Sequence, residues 1–288
     1  MHKIKQHKLL IIYFGLIVFC ASFFFASFIN ADLNTGLAAH WKLNNSMADS
    51  SGNGNTLTND GTESTAGLYG ANDTAYKING INDESLIASD SSSLDITGDI
   101  SIAGWLNISK PFTASEWQIT LVGKWNGATN NRSYFLYASE ADSISDGLIF
   151  GISSDGTGEG NGQDLYVSDF TTNFATGTWH HFAVTWDASE SRAKFYMNGK
   201  KLGGDKIGSK TQIYNGNASL KVAYSGDYNG DYSVDEVRLY NKVLNDNEIR
   251  ALSISPDYNN DNVVNDNDIY DQAKIQADWL ENVWGAEK

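Results

Sequence analysis

Near the C-terminus the chain reads "DYNNDNVVNDND", residues 257–268. Asp257, Asn259, Asp261, Asn265 and Asp268 fall at positions 1, 3, 5, 9 and 12 of a twelve-residue loop. Oxygen donors at these intervals can wrap one hard cation of calcium size, with the seventh residue giving its backbone carbonyl. Here that residue is Val263. Asn265 would bind directly or through a water, and Asp268 would close the loop in place of a longer glutamate. Asn262 stands where a sharp turn usually takes glycine, and Asn enters the left-handed region more readily than most residues. Calcium is therefore the cofactor expected from sequence. An upstream segment, "DYNGDYSVDEVR" at 227–238, copies part of the pattern. Its twelfth position is Arg238, a cation where an anion is needed, so it is not a second calcium loop, and the following "LYNKVL" reads as the end of a strand.

Other chemistries find little support. Cys20 is the only cysteine, which removes disulfides and thiolate sites from the rest of the chain. His180 and His181 are adjacent in a strand-like stretch, so they point to opposite faces and do not share one metal. Glu140 and Asp142 in "SEADSISD" would share a strand face, but Ser145 stands where a third acid would complete a laminarinase-type pattern. Asp146 precedes Gly147 and marks a turn. No Gly-x-Ser-x-Gly elbow or phosphate-cradling loop occurs. No catalytic residue is assigned. Trp125 in "GKWNGATNN", with Tyr228 and Tyr232 in "GDYNGDYS", are aromatic rings beside polar Gly/Asn loops. They are the candidate sugar-stacking residues, packing on the sandwich edge being the other reading.

The elements that would position these groups are short. "SIAGWLNI", "ITLVGKW", "SYFLYAS", "GLIFGIS", "HHFAVTW", "AKFYMNG" and "VDEVRLY" are apolar runs separated by Gly, Asn, Asp and Ser. In "WHHFAVTWD" Trp179, Phe182, Val184 and Trp186 take alternate or near-alternate places, as a half-buried strand needs. Turn signals such as Asn198-Gly199 and Asp155-Gly156 intervene. The pattern predicts an all-β, two-sheet antiparallel jelly-roll sandwich over residues 32–252. Ile269, Ala273, Ala277, Leu280 and Trp284 then recur at spacings of three and four. They predict a helix with one apolar stripe, so 253–288 is expected to be a calcium loop plus helix.

At the other end, a basic head (Lys3, Lys5, Lys8) precedes an apolar run from Leu9 to Phe28. Residues 1–31 read as a secretory signal cleaved near Ala31. An uncleaved anchor, or a lipoprotein signal using Cys20, are alternative readings of the same segment. Removing its three lysines takes the formal charge from −15 to −18. Such acidity argues against nucleic acid, or an anionic membrane surface, as partner. A secreted or cell-surface protein is expected.

Taken in order, four stretches resemble the laminin-G-like, concanavalin A-like lectin/glucanase jelly-roll family. They are "GLAAHWKLNNSMADSSGNGNTLTNDG", "DISIAGWLNI", "TWHHFAVTWDASESRAKFYMNGKKLG" and "GDYSVDEVRLYNKVLNDNEIRAL". The last matches that family's closing strand and short terminal helix. The resemblance implies extracellular recognition and adhesion, not one ligand; with no catalytic residue assigned, a non-catalytic module for carbohydrate or a glycoprotein surface is expected. It also implies a calcium clasp between the first and last strands, with Asp49 and Asp235 as ligands and a carbonyl near Asn53. Residues 257–280 resemble one repeat of the dockerin family, a relative of the EF-hand, which implies a cohesin-like partner. Dockerins use two repeats, and only one is present here. The alternatives are a divergent glycoside hydrolase of the laminarinase-like fold, and a structural module joined to a larger assembly through its tail.

Overall fold

The computed structural model describes residues 32–68, 74–80, 84–111, 118–139, 147–158, 162–168, 174–224 and 230–253. The loop 257–268, the stripe 269–284, the segment 1–31, Tyr228, and Glu140 to Asp146 lie outside these residues. Within the compact unit Leu33–Ile254 the fold is all-β, two antiparallel sheets forming a jelly-roll sandwich.

Among the described residues the first sheet has nine strands. Its main path runs β13 (Lys200–Lys201), β12 (Arg192–Met197), β11 (Trp179–Asp187), β6 (Ile100–Ile108), β16 (Tyr232–Tyr240), β4 (Ala75–Ile78) and β3 (Glu63–Thr65). Strand β1 (Leu37–Trp41) pairs with β16, and β14 (Lys206–Ile207) with β12. The second sheet has seven strands: β10 (Gln163–Val167), β9 (Gly147–Ser153), β8 (Asn131–Ser139), β7 (Gln118–Asn126), β15 (Leu220–Tyr224), β5 (Ser85–Ala88) and β2 (Thr58–Asp60).

Period-two alternation decides which residues enter the core. Ile100 and Ile102 of β6 pair with Trp186 and Val184 of β11, Phe182 pairs with Gly104, and these apolar side chains with Leu106 and Ile108 reach the inter-sheet space. Gly104 is the exception to the apolar alternation, because a Cβ there would stand 2.8 Å from the Phe182 ring. Polar tips of the buried rings find acceptors: Trp41 Nε1 donates to Asn55 O at 2.7 Å, and Trp186 Nε1 to the Tyr166 hydroxyl at 3.0 Å. The expected hairpin at Asn198-Gly199 has both residues at positive φ, 49° and 72°, which a two-residue turn of the primed type requires.

The nine-stranded sheet is covered on its outer side by one short helix, α1 (Asp246–Leu252). Asn245 caps it by accepting from the N–H groups of Asn247 and Glu248, and the Glu248 carboxylate returns to the Asn245 N–H at 2.8 Å. Ile249 and Leu252 then bury against Ala103, Ala183, Tyr196 and Tyr240. Each contributes roughly 1.5–3 kcal/mol by leaving water. The segment 232–238 is the first part of β16, so Arg238 lies within a strand and no helix leaves it.

A candidate glycan site at the end of the seven-stranded sheet

The turn between β7 and β8 is built of asparagine. Asn126 ends β7 and caps a 3-10 turn, η1 (Gly127–Thr129), by accepting from the Ala128 N–H at 3.1 Å. Asn130 follows in the left-handed conformation at φ 51°, and Asn131 opens β8 opposite Asn126. Facing this hairpin end runs the segment 214–219, which leads into β15. Its path is fixed from below by Lys124, a lysine with no solvent exposure. The Lys124 ammonium donates to the carbonyls of Gly216 and Ala218 and meets Asp90 at 2.5 Å and Asp95 at 3.2 Å. Two carboxylates and two carbonyls are the compensation a buried ammonium needs. Gly216 is required by close approach, since a Cβ there would sit 2.2 Å from Asn131 Oδ1. The Asn131 amide donates to Asn217 Oδ1 and joins hairpin to segment.

Between the two lies a depression with a volume of about 590 Å³. Asn126, Thr129, Asn130 and Asn131 line one side, and Tyr214, Asn215, Asn217, Ala218 and Ser219 the other. Five of these nine are asparagines, and none carries a formal charge. Tyr214 is 37% exposed, with its ring against Gly156. Asn131 Oδ1 is buried and has no hydrogen-bond partner. Arg132, beside the depression, holds the hairpin end together. Its guanidinium donates to Gly127 O at 2.8 Å and Asn130 Oδ1 at 3.0 Å and lies 5.8 Å from the Trp125 ring centre. Such a surface offers paired amide donors and acceptors beside an aromatic ring, the composition that holds vicinal hydroxyls.

Trp125 precedes Asn126 in the strand, so it turns to the sheet's outer face and does not line the depression. There it meets Phe135 edge-on at 4.7 Å, and Phe135 stacks on Tyr137 at 4.1 Å. Phe135 belongs to a row across the ladder: Leu165, Gly151, Phe135, Gly123, Lys221, Ile87. The next row holds Val167, Ile149, Tyr137, Thr120 and Tyr224. Neither of these two rows contains a carboxylate among the described residues.

Tyr232 requires a correction. Its neighbours in sequence are loop-formers, yet it begins β16 facing inward and is fully buried. Its hydroxyl donates to Thr120 O at 2.8 Å, and burial pushes it well above the ordinary tyrosine range. It cannot stack on a ligand.

The expected clasp residues are placed apart. Asp49 bridges to Trp41, whose other side pairs with Val237, so β1 stands between Asp49 and β16. The Asp49 carboxylate accepts from the N–H groups of His40, Ser51 and Asn55 at 2.9–3.0 Å. Burial opposes its ionisation, but these bonds outweigh it and hold the group below the usual carboxylate range. Asn53 donates its side-chain amide to the Leu37 and Ala38 carbonyls at 3.0 Å. Asp235 is fully buried and accepts from Leu68 and Glu236 N–H groups. Burial raises it to about 7. Each set of oxygens faces its own backbone donors. Among the described residues no group of three or more His, Cys, Asp or Glu could hold a metal.

Behind Asp235, β16 bulges. Glu236 adopts φ 51°, and its carboxylate meets His40 Nε2 at 2.8 Å and Arg238 Nη2 at 2.7 Å. His181 pairs with Trp105 on the same sheet face and is buried with neither ring nitrogen bonded. His180 points the other way and meets the Ala175 carbonyl, so the two histidines share no site.

Sequence reasoning pointed to the hairpin end through Trp125 but missed Lys124 and the segment opposite. The available signal was "YNGNAS" at 214–219, an aromatic among Asn and Gly of the same kind as "WNGATNN".

A profile of the laminin-G-type concanavalin A-like lectin/glucanases superfamily matches residues 79–250, more than half of the chain. The chain belongs to that superfamily. It is similar, at 25% identity over 207 residues, to non-toxic nonhemagglutinin type E of Clostridium botulinum, covering 72% of this chain and 16% of that protein. The binding domain of Paraclostridial Mosquitocidal Protein 1 superposes with a TM-score of 0.61 at 16% identity, covering 77% of this chain and 52% of the other. The binding domain of botulinum neurotoxin DC in complex with SialylT gives 0.55 at 16% identity, covering 77% and 51%. A botulinum neurotoxin type C structure, described by its dependence on two ganglioside molecules for cell entry, gives 0.57 at 14%, covering 77% and 51%. At these identities the superpositions speak for the fold. The chain spans about half the length of these solved structures and a small part of the curated relative.

Proposed function

We propose that this superfamily member is a non-catalytic binding module of the cell exterior, taking carbohydrate or a glycoprotein surface at the asparagine-lined depression. The observation that carries the reading is the depression itself: about 590 Å³, uncharged, five asparagines, and a half-exposed Tyr214 at its edge. Support comes also from similar folds described as binding domains, among them one in complex with SialylT and one dependent on gangliosides. The basic head and apolar run at the N-terminus support export. A hydrolase reading would draw on Glu140 and Asp142, which lie outside the described residues. Calcium belongs to the reading through the tail, where Asp257, Asn259, Asp261, Val263, Asn265 and Asp268 supply the donors and a dockerin-like repeat would offer a cohesin-like partner its surface.

An array of oligosaccharides probed with the protein tests it. Binding that falls at least tenfold on Tyr214→Ala supports the site. Hydrolysis of any arrayed sugar, or binding indifferent to Tyr214, overturns it. Calcium titration of the protein and of Asp257→Ala/Asp261→Ala, followed by helix content, tests the tail.

A further inference from the structure

Resting on that reading, we infer that the depression selects neutral, hydroxyl-rich saccharides and turns away sialylated ones. A sialyl carboxylate entering a partly desolvated site needs a cation or several N–H donors aimed at it. The lining side chains supply no formal charge. Two cations beside the depression are held differently: Lys124 is neutralised by carboxylates, and Arg132 keeps its charge but turns its N–H groups to the hairpin. Lys124 spends its ammonium on Asp90, Asp95 and the Gly216 and Ala218 carbonyls, with no solvent exposure. Arg132 directs one terminal nitrogen at Gly127 O and the other at Asn130 Oδ1.

The oxygens present also oppose an anion. Asn131 Oδ1 lies beneath the surface with no donor, beside Gly216. Asn217 Oδ1 faces it across the Asn131 amide. The chain as a whole carries a formal charge of −15, which adds a long-range field of the same sign. A neutral pyranose meets none of these costs. Each of its hydroxyls both donates and accepts, and an asparagine amide answers both ways. Tyr214, half-exposed on the lining, supplies an aromatic ring of the kind sugar C–H groups pack on.

Matched pairs of oligosaccharides, each with and without a terminal sialic acid, are titrated into the whole chain by calorimetry. The expected result is at least tenfold tighter binding of the neutral member at low salt, narrowing as salt rises. Equal or tighter binding of the sialylated member overturns the selectivity while leaving the depression a glycan site. Failure of every member to bind overturns the glycan reading itself, and the selectivity with it. The variant Thr129→Lys places a cation on the lining. It is expected to shift the ratio toward the sialylated member by severalfold, and an unchanged ratio overturns the electrostatic argument.

Discussion

Lys124 and Ala218 are joined by a 3.0 Å hydrogen bond from a fully buried ammonium to a backbone carbonyl. Through it, and the companion bond to Gly216, strand β7 holds the segment that forms one wall of the depression. Lys124→Met is expected to cost about 3 kcal/mol in urea unfolding, because Asp90, Asp95 and two carbonyls lose their cation together. It should also abolish glycan binding at temperatures where the variant is still folded. Stability unchanged to within half a kilocalorie would mean the segment is held by other means.

Gly151 and Phe135 are coupled by space. A Cβ at Gly151 would come 2.2 Å from the Phe135 ring, which in turn supports Trp125 and Tyr137. Gly151→Ala is expected to destabilise by roughly 1–3 kcal/mol and to lower Tm by several degrees. Glycan binding should survive, since neither Gly151 nor Phe135 lines the depression. A variant as stable as the parent would show that the ring can swing away freely.

Two buried groups on the nine-stranded sheet oppose each other in acid. Burial, aided by Arg238, lowers His181 to about 3. The unfolded chain therefore binds the extra proton first as pH falls from about 6.5, and stability drops with it. Burial raises Asp235 to about 7 against backbone donors from Leu68 and Glu236. Here the unfolded chain loses its proton first as pH rises from about 4, so this group's contribution is fully present in acid and is lost toward pH 7. His181→Phe is expected to move the stability maximum to lower pH, and Asp235→Asn to move it higher. Unfolding free energies at pH 4, 5.5 and 7 check this, and displacement in the opposite sense for either variant contradicts it.

The capping box at Asn245 fixes the helix that closes the outer sheet face. Asn245→Ala removes the acceptor for two N–H groups and is expected to cost about 1 kcal/mol. Denaturant midpoints with unchanged slope check it.

The sandwich was legible because alternation is a local signal. Val184, Trp186 and Phe182 announce their face from neighbours alone, and the Asn-Gly turn at 198 announces its hairpin. The site was half legible. Trp125 and the asparagines after it stand out as a polar loop beside a ring. Their partner wall comes from residues some ninety positions later, brought alongside by the ladder of β7 with β15 and the bonds from Lys124 and Asn131. Lys124 is less legible still, because a lysine in "LVGKW" reads as solvent-facing until Asp90 and Asp95 are placed beneath it. Tyr232 was misread for a related reason. Its loop-like neighbours end one residue earlier than their composition suggests, at the first inward position of β16. The shared clasp at Asp49 and Asp235 came from family resemblance, and the chain's pairing sets β1 between them.

The central claim is that a glycan sits between the hairpin end and the segment 214–219. Backbone amide shifts of the isotope-labelled protein, followed while a neutral oligosaccharide chosen from the array is titrated in, test it most directly. The account predicts saturable changes concentrated at 126–131 and 214–219, lost in Tyr214→Ala. Changes centred instead on the outer-face row of Leu165, Phe135 and Ile87, or on β16, would contradict it.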